Sequence, residues 1–422
     1  MKMRFREYFF ALTLALGGGT AFAQSDAGAL RIFGYFQNEF TYEKNNSGNE
    51  ELTSFNLQQL NVFMQKDFSE KWSSHVNFEL INTFSTFREW GDLNLEEAWV
   101  RYRASHTFNL KLGLHIPEFN HLNAIKNKTP LLPYVVRPFV YETSFNEFFN
   151  LEKFLPERAF MQASGFLQFG EAKLDYAFSL GNSPNISNKT SALTAANRAQ
   201  TGTDTSTTFL GVGRIGVRYR NLEAGVSASH DRVNFFEGLR NLVPATRYSE
   251  IPRIRVGADL AYRSGGLVIE GETLNVRFDE EFADVNTSSD FDYLSVGYRM
   301  SEKLFVYGSY WAGNENDAFI FFKDPETQSL YEDGKISLGG LDEDNFRVEG
   351  VTKTDIKIPT LGLSYNLTDQ IILKGQFARA RIQFSQPGLR VNMDGFNEIN
   401  NEARRESPAN IFFLATAVSV FF

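Results

Sequence analysis

Polar and apolar residues alternate one by one in segments that recur along almost the whole chain. Val76, Phe78 and Leu80 share one parity and are apolar. His75 and Asn77, at the intervening positions, are polar. A β-strand points successive side chains to opposite faces, so each such segment is predicted to be a strand with one apolar and one wet face. The same alternation occurs at 108–116, 172–181 and 251–263.

Sixteen such segments can be counted, and their connections alternate in length. The segments lie at 30–43, 53–67, 72–84, 94–104, 108–116, 159–169, 172–181, 209–220, 222–231, 251–263, 266–279, 291–301, 303–314, 354–367, 370–384 and 408–422. Connections after even-numbered segments are tight, whereas those at 117–158, 182–208, 315–353 and 385–407 are long. This layout is typical of outer-membrane proteins. We therefore predict an all-β fold, a transmembrane antiparallel up-and-down barrel of 16 strands, with short periplasmic turns and long extracellular loops.

Two segments depart from clean alternation. In the eleventh, Glu270 and Glu272 share a parity with apolar Leu274. A β-bulge that shifts the register, or projection above the lipid, is the expected explanation. In the fifteenth, Arg379 and Arg381 fall on the expected lipid face. A cation at the bilayer midplane costs about 2–4 kcal/mol, so we expect this end of the strand to be extracellular.

Aromatic residues end the descending segments just before the tight turns. Rings prefer the head-group level of a membrane, where one edge is wet and the rest apolar. Aromatic residues at strand ends also occur in soluble sandwiches, but those have no reason to place a ring at the same end of every second strand. The predicted aromatic girdle consists of Tyr102, Phe169, Tyr219, Tyr262, Tyr298, Tyr365 and Phe422.

Composition agrees with one lipid face and one wet face. The chain is 15% aromatic, with 42 Phe, yet its mean hydropathy is only −0.29 and its formal charge is −9. A membrane helix needs ~20 apolar residues, and no such run occurs. A basic start, an apolar core and the Ala21-Phe22-Ala23 site predict a signal peptide over 1–23 and a mature chain, all barrel, over 24–422. The acidic balance argues against nucleic acid as a partner.

A barrel of this size leaves an aqueous lumen, and 117–158 is the candidate constriction loop. Its many aromatic residues favour packing inward on the barrel wall, although an outward loop packed on neighbours remains an alternative. The charged residues that would then line the constriction are Lys126, Lys128, Arg137, Glu142, Glu147 and Arg158. The residues predicted to face the lumen from the wall are Glu79, Glu97, Arg101, Lys111, His115, Asp175, Arg214, Arg218, Arg253, Arg255, Asp259, Arg299 and Lys374. Cations outnumber anions in this set, which favours weak anion preference.

Segments four and five resemble the phosphate-selective porin O and P family, within the general sixteen-stranded porins. The resemblance rests on Leu95-Glu-Glu-Ala-Trp-Val-Arg-Tyr102 and on Leu110-Lys-Leu-Gly-Leu-His-Ile-Pro-Glu-Phe-Asn120. Asn120 stands where the family's Pro-Phe-Gly element has glycine, and Pro156-Glu-Arg158 and Gly165 occur where that family resumes its barrel. The resemblance implies passive, anion-favouring diffusion and assembly as a trimer. A concentrated arginine–lysine ladder is missing, so phosphate specificity is not carried over.

These observations predict an outer-membrane porin of a Gram-negative bacterium that passes small hydrophilic solutes and ions by passive diffusion. Its expected partners are outer-membrane lipid, the outer-membrane assembly machinery and the diffusing solutes, with a homotrimer as the assembly. No enzyme activity, cofactor or metal is expected: His115 and His121 flank Glu118, but one ends a strand and the other lies in a loop. The alternatives are a structural or adhesive barrel with ligand-binding loops and, further off, a barrel-embedded hydrolase.

Overall fold

The chain forms one closed β-barrel. The structure, a computed structural model, describes residues 28–46, 50–81, 92–123, 128–141, 154–183, 208–233, 251–282, 285–322, 347–386, 390–392, 404–405 and 408–422. Its strands are β1 (Arg31–Asn45), β2 (Glu50–Asp67), β3 (Trp72–Ile81), β4 (Asp92–Arg103), β5 (Asn109–His115), β6 (Ala159–Phe169), β7 (Ala172–Asn182), β8 (Phe209–Tyr219), β9 (Leu222–Val233), β10 (Ile251–Ser264), β11 (Leu267–Phe282), β12 (Val285–Arg299), β13 (Leu304–Phe322), β14 (Arg347–Asn366), β15 (Ile371–Gln386), β16 (Arg390–Asn392), β17 (Arg404–Arg405) and β18 (Ala409–Phe421). Sixteen of them form the wall, as predicted. Among the described residues, no helix is both long and apolar enough to cross a membrane.

Every strand pairs antiparallel with its neighbours, and β18 closes the ring against β1. The backbone N–H of Phe422 donates to the carbonyl oxygen of Gly34 at 3.0 Å, and Gly34 donates back at 2.9 Å. The two short strands β16 and β17 extend the wall beside β14 and β15. We call the rim with the tight turns the turn end and the opposite rim the loop end. Gly265 and Gly266 form one such turn with positive φ angles of 56° and 92°, which suits a tight hairpin.

Strands β12 to β14 extend farther toward the loop end than the alternation predicts. β12 begins at Val285 instead of residue 291, and β13 continues to Phe322 instead of residue 314. Beyond the lipid, water can reach the outer face of a strand, so an apolar face is no longer required there. Alternation therefore marks the membrane-facing part of a strand and not its full length.

The outer surface carries the apolar parity. Phe178, Val226 and Leu361 are 50%, 59% and 66% exposed on it, which in water would be unfavourable and in hydrocarbon is not. The predicted girdle residues lie within the last three positions of their strands at the turn end, or directly after the strand in the case of Phe422. Five of the seven are exposed: Phe169, Tyr219, Tyr298, Tyr365 and Phe422. The predicted transmembrane parity is confirmed.

The parity conflict in β11 has a different cause from the one expected. Glu272, Leu274, Val276 and Phe278 are all buried and face the barrel interior. The pairing of β11 with β12 stays in register from Leu267 to Arg277, so neither a bulge nor projection above the lipid explains these residues. The interior itself is apolar at this side of the wall, because a segment of the chain packs against it.

Two bulges move side chains to the interior that strict alternation places outside. On β2, Gln37 pairs with Gln59 and Asn38 with Leu57, so Gln58 is an extra residue and is buried. On β4, Glu97 pairs with Asn77 and Leu95 with Phe78, which leaves Glu96 as the extra residue, also buried. A bulge places two residues opposite one, and this lets adjacent side chains share a face.

Candidate pore and the segment that crosses it

The described parts of 117–158 lie inside the barrel. They include helix α1 (Asn120–Asn123) and two single turns of 3-10 helix at Thr129–Leu131 and Phe139–Tyr141. We call this stretch the inner segment. Its apolar side chains form one buried cluster with inward residues of the wall. The members from the inner segment are Phe119, Leu122, Tyr134, Val135, Val136, Phe139, Val140, Tyr141, Phe154 and Leu155.

The wall supplies an apolar face for this cluster on β11 to β15. Phe139 meets Phe291 edge to face, with ring centroids 5.0 Å apart, and Tyr134 meets Tyr307 at 5.1 Å. Trp311, Ile356 and the remaining inward residues of these strands complete the contact. The lumen is therefore filled on this side, and the open space lies against β1 to β5, β8 and β9.

Two polar residues of β15 hold the backbone of the inner segment. Lys374 donates from its Nζ to the carbonyl oxygens of Thr129 at 2.9 Å, Pro130 at 3.1 Å and Tyr134 at 3.3 Å, and to the Oε1 of Gln37 at 2.9 Å. This lysine is 3% exposed, so its charge is solvated by protein oxygens in place of water.

Beside the lysine, Gln376 pairs with the same stretch of backbone. Its Oε1 accepts from the amides of Val135 at 2.8 Å and Val136 at 2.9 Å, and its Nε2 donates to the Val136 carbonyl at 3.0 Å. From the other side, Gln37 and Gln58 donate to the carbonyl oxygen of Val135 at 3.2 and 3.3 Å. Irregular backbone can lie at membrane depth because side chains satisfy its polar groups.

Glu272 of β11 holds the inner segment at a second point. Its carboxylate accepts from the amide of Leu122 at 2.6 Å and from the hydroxyl of Tyr141 at 2.5 Å. The Tyr141 side chain is buried, and its hydroxyl is directed at this carboxyl group. Tyr134 and Tyr293 share a hydroxyl–hydroxyl hydrogen bond of 2.5 Å nearby.

Buried ion pairs occupy the inner face of β7 to β10. Arg253 contacts Asp231 through its Nε at 2.8 Å and its Nη2 at 2.5 Å, and Arg255 reaches the same carboxylate at 3.3 Å. Both arginines are 0% exposed. Next to them, Arg214 bridges Asp259 at 2.7 Å and Asp175 at 3.1 Å. Arg253 and Arg255 thus face the interior as the parity indicates, but they lie away from water.

The open space toward the turn end is a cavity of about 760 Å³, which we call the lumen cavity. Five predicted wall residues line it, namely Glu97, Arg101, Lys111, Arg214 and Arg218, together with Lys128 from the inner segment. Sequence reasoning missed His75, Trp99, Glu118, His121 and Glu223, which line it as well. Trp99 lies under two cations, with the Lys111 Nζ 5.0 Å and the Arg101 Cζ 5.7 Å from its ring centroid.

The other predicted residues have varied positions. Arg158 forms an ion pair with Glu96 at 2.9 Å and also donates to the Glu96 carbonyl at 2.8 Å, so it ties the end of the inner segment to the bulge of β4. Arg137 and His115 are buried, Glu79 accepts from Gln59 at 2.5 Å, and Arg299 is exposed at the turn end.

Lys126, Glu142 and Glu147 lie outside the described residues. Within the described ranges, no three His, Asp or Glu side chains are grouped so that they could hold a metal ion.

Comparison with solved structures finds the same barrel in outer-membrane channels. An anion-selective porin from Comamonas acidovorans matches with a TM-score of 0.54 and 12% identity over 94% of this chain and 100% of that one. OprB of Pseudomonas putida matches with a TM-score of 0.54 and 10% identity over 94% of this chain and 95% of that one. The outer membrane channel DcaP of Acinetobacter baumannii matches with a TM-score of 0.53 and 10% identity over 95% of this chain and 99% of that one. At these identities the likeness shows the fold alone, and it agrees with the predicted antiparallel up-and-down barrel. No family model and no curated protein matches the chain, so the O and P family stays a prediction.

Proposed function

We propose that this chain is an outer-membrane porin through which small hydrophilic solutes and ions diffuse passively. The observation that carries the proposal is the inner segment, which is fixed across the lumen by Lys374, Gln376 and Glu272 and leaves a water-accessible cavity beside it. A segment fixed in this way narrows a channel without plugging the whole barrel. Two of the residues predicted to line the constriction support this proposal best: Lys128 lines the cavity, and Arg158 fixes the end of the inner segment to β4.

The charges around the lumen cavity favour anions weakly. Among its described lining residues, the cations Arg101, Lys111, Lys128, Arg214 and Arg218 number five, and the carboxylates Glu97, Glu118 and Glu223 number three. Counted over these lining residues, the balance is +2, although the whole chain carries −9, and Arg214 contributes little of it because Asp259 and Asp175 pair with it behind the lining. A charged wall around a narrow aqueous space selects against ions of its own sign. The excess is small, so the preference should be weak.

The location and assembly complete the proposal. The mature chain begins after residue 23, resides in the outer membrane of a Gram-negative bacterium and is inserted by the outer-membrane assembly machinery. Its apolar outer face and aromatic girdle support contact with lipid, and we infer a homotrimer from the sequence resemblance. Mass spectrometry of the exported protein tests the cleavage site, and cross-linking in membranes tests the trimer.

Conductance of the refolded barrel in planar lipid bilayers tests the function. Steady single-channel currents are expected, with a reversal potential of anionic sign in a potassium chloride gradient. A folded barrel that conducts no ions would contradict the porin and favour the adhesive or structural alternative. Steady conduction with a cation-favouring reversal potential would retain the porin and reject the anion preference.

Deleting the inner segment is a poor test, because it would expose Phe291, Trp311 and Ile356 to water. Releasing its polar contacts is sharper. Gln376→Leu removes the hydrogen bonds to Val135 and Val136 and leaves the apolar contact intact. If the segment forms the constriction, the variant should show larger or noisier currents than the unaltered barrel, whereas Gln383→Leu near the loop end of the same strand should not.

A further inference from the structure

The outer surface of the barrel carries an apolar groove on β12 to β15. Leu294, Tyr310, Leu361 and Phe377 form its sides, and the groove has a volume of about 570 Å³. Gly308 lies in register between Val296 and Leu361 on the neighbouring strands. It forms the floor of the groove, because it has no side chain that would fill the space between those two residues. A long, flexible hydrocarbon chain fits such a groove better than a bulky rigid group does.

Three outward cations, Lys357 on β14 and Arg379 and Arg381 on β15, lie near the end of this groove nearer the loop end. Arg379 is itself a lining residue of the groove, and its guanidinium lies 5.3 Å from the ring centroid of Phe412. Lys357 on β14 lies directly opposite Arg381 on β15 in the strand register. All three side chains are exposed and point outward, away from the lumen.

This cluster lies near the edge of the apolar band and not far above it. Arg379 is eight positions beyond Ile371, the first residue of β15 (371 to 379). At ~3.3 Å per residue and a tilt of ~40°, that distance is about 20 Å across the membrane, within an apolar band ~25 Å tall. On β10, Ile254 lies ten positions from Ser264 (254 to 264) and is still an exposed apolar residue. Lipid is therefore expected at the depth of Arg379.

The outward carboxylates nearby do not neutralise the cluster. Asp355 pairs with Lys353 at 3.7 Å. Asp292 is in register with Ala312, which is in register with Lys357, so two strand spacings of ~4.8 Å separate it from the lysine. The cluster keeps a concentrated positive charge at the depth where the head groups of a bilayer begin.

We propose that the groove and the cluster form a binding site for an anionic, phosphate-bearing lipid of the outer leaflet. One acyl chain lies in the groove over Gly308, and the phosphate of the head group accepts hydrogen bonds from Arg379, Lys357 and Arg381. The combination is specific: the groove alone would take any lipid, and the cations alone would take any anion. This site is independent of the pore and of its selectivity.

Native mass spectrometry of the barrel in a non-ionic detergent tests the site, with lipid A, phosphatidylglycerol, phosphatidylcholine and inorganic phosphate as the probes. Lipid A and phosphatidylglycerol should stay bound, and lipid A more tightly because it carries two phosphates. Substituting all three cations (K357Q, R379Q and R381Q together) should weaken lipid A binding about a hundredfold, at about tenfold or less per cation. Gly308→Leu should weaken it as well, with every charge intact.

The matched control is Arg277→Gln, which removes an exposed outward cation at similar depth on β11 but outside the groove. It should leave binding unchanged. Equal retention of phosphatidylcholine, equal loss with Arg277→Gln, or full displacement of lipid A by inorganic phosphate would overturn the site. So would a dimer of the barrel that is lost in the triple variant, because the surface would then join two copies of this chain.

Discussion

The carboxylate of Glu272 lies 2.6 Å from the backbone nitrogen of Leu122 and joins a wall strand to the segment inside the barrel. The same carboxylate accepts from Tyr141 at 2.5 Å, so a single side chain fixes two points of that segment. Wall and inner segment thus form one packed unit. Their contacts are expected to control both the stability of the barrel and the width of the open path.

Glu272→Leu should destabilise the barrel by about 1–3 kcal/mol, because it leaves the buried amide of Leu122 and the hydroxyl of Tyr141 without their acceptor. Glu272→Gln keeps an acceptor oxygen and should cost less. Urea unfolding in phospholipid vesicles, followed by tryptophan fluorescence, measures the difference. Glu302→Gln, in an exposed turn, is the control, and an equal midpoint for Glu272→Leu and Glu302→Gln would contradict the anchoring role.

Asp231→Asn should be among the most destabilising single changes, at about 3–5 kcal/mol, since it removes the carboxylate that compensates two fully buried guanidinium groups. Glu171→Gln breaks an ion pair with Arg220 in which both side chains are about two-thirds exposed. Water and salt screen that pair, so no measurable change is expected. The same unfolding assay compares the two variants, and similar midpoints would show that the buried pairs are not needed.

Lys374→Met should loosen the inner segment, because the carbonyl groups of Thr129, Pro130 and Tyr134 lose their common donor. We expect greater current noise and a loss of about 1.5–3 kcal/mol of stability, the range for hydrogen bonds to charged groups. Lys357→Met, which faces outward, should leave the current trace unaltered. Replacing a buried charge with an apolar side chain can also be neutral, and a quiet, stable Lys374→Met channel would mean that apolar packing alone holds the segment.

Selectivity should follow the balance of charge in the lumen cavity. Removing two cations with Arg101→Gln and Lys111→Gln changes the local balance from +2 to 0, since five cations become three against three carboxylates. The reversal potential should then lose its anionic sign, and Lys357→Gln on the outer surface should not alter it. The preference should also fall as salt rises from 0.1 M to 1 M, because the Debye length shrinks from ~10 Å to ~3 Å.

The wall could be predicted from the sequence because lipid imposes a strict rule on alternate residues. All sixteen wall strands overlap the segments that the alternation predicts, although β12 to β14 extend beyond them at the loop end. This alternation does not predict the side that a residue faces where a β-bulge inserts an extra residue into a strand. Gln58 and Glu96 sit at bulges, which leave no mark in the parity of the sequence, and both became interior residues.

The interior was harder to predict, because its chemistry depends on contacts between distant parts of the chain. Leu274, Val276 and Phe278 face inward by register, and they are buried there because the inner segment forms one apolar cluster with them. Likewise, Lys374 has the parity of a lumen residue, yet the inner segment buries it. A sequence shows which side a residue faces, but it does not show whether that side is filled by water or by another segment.

The seam between β1 and β18 joins strands from the two ends of the sequence, with Gly34 and Phe422 hydrogen-bonded to each other. Until β18 arrives, both β1 and β15 present unsatisfied backbone edges that hydrocarbon cannot tolerate. Lateral closure of the ring therefore requires β18, whose pairing satisfies both edges at once. A partly inserted barrel must have these two edges shielded by something other than lipid.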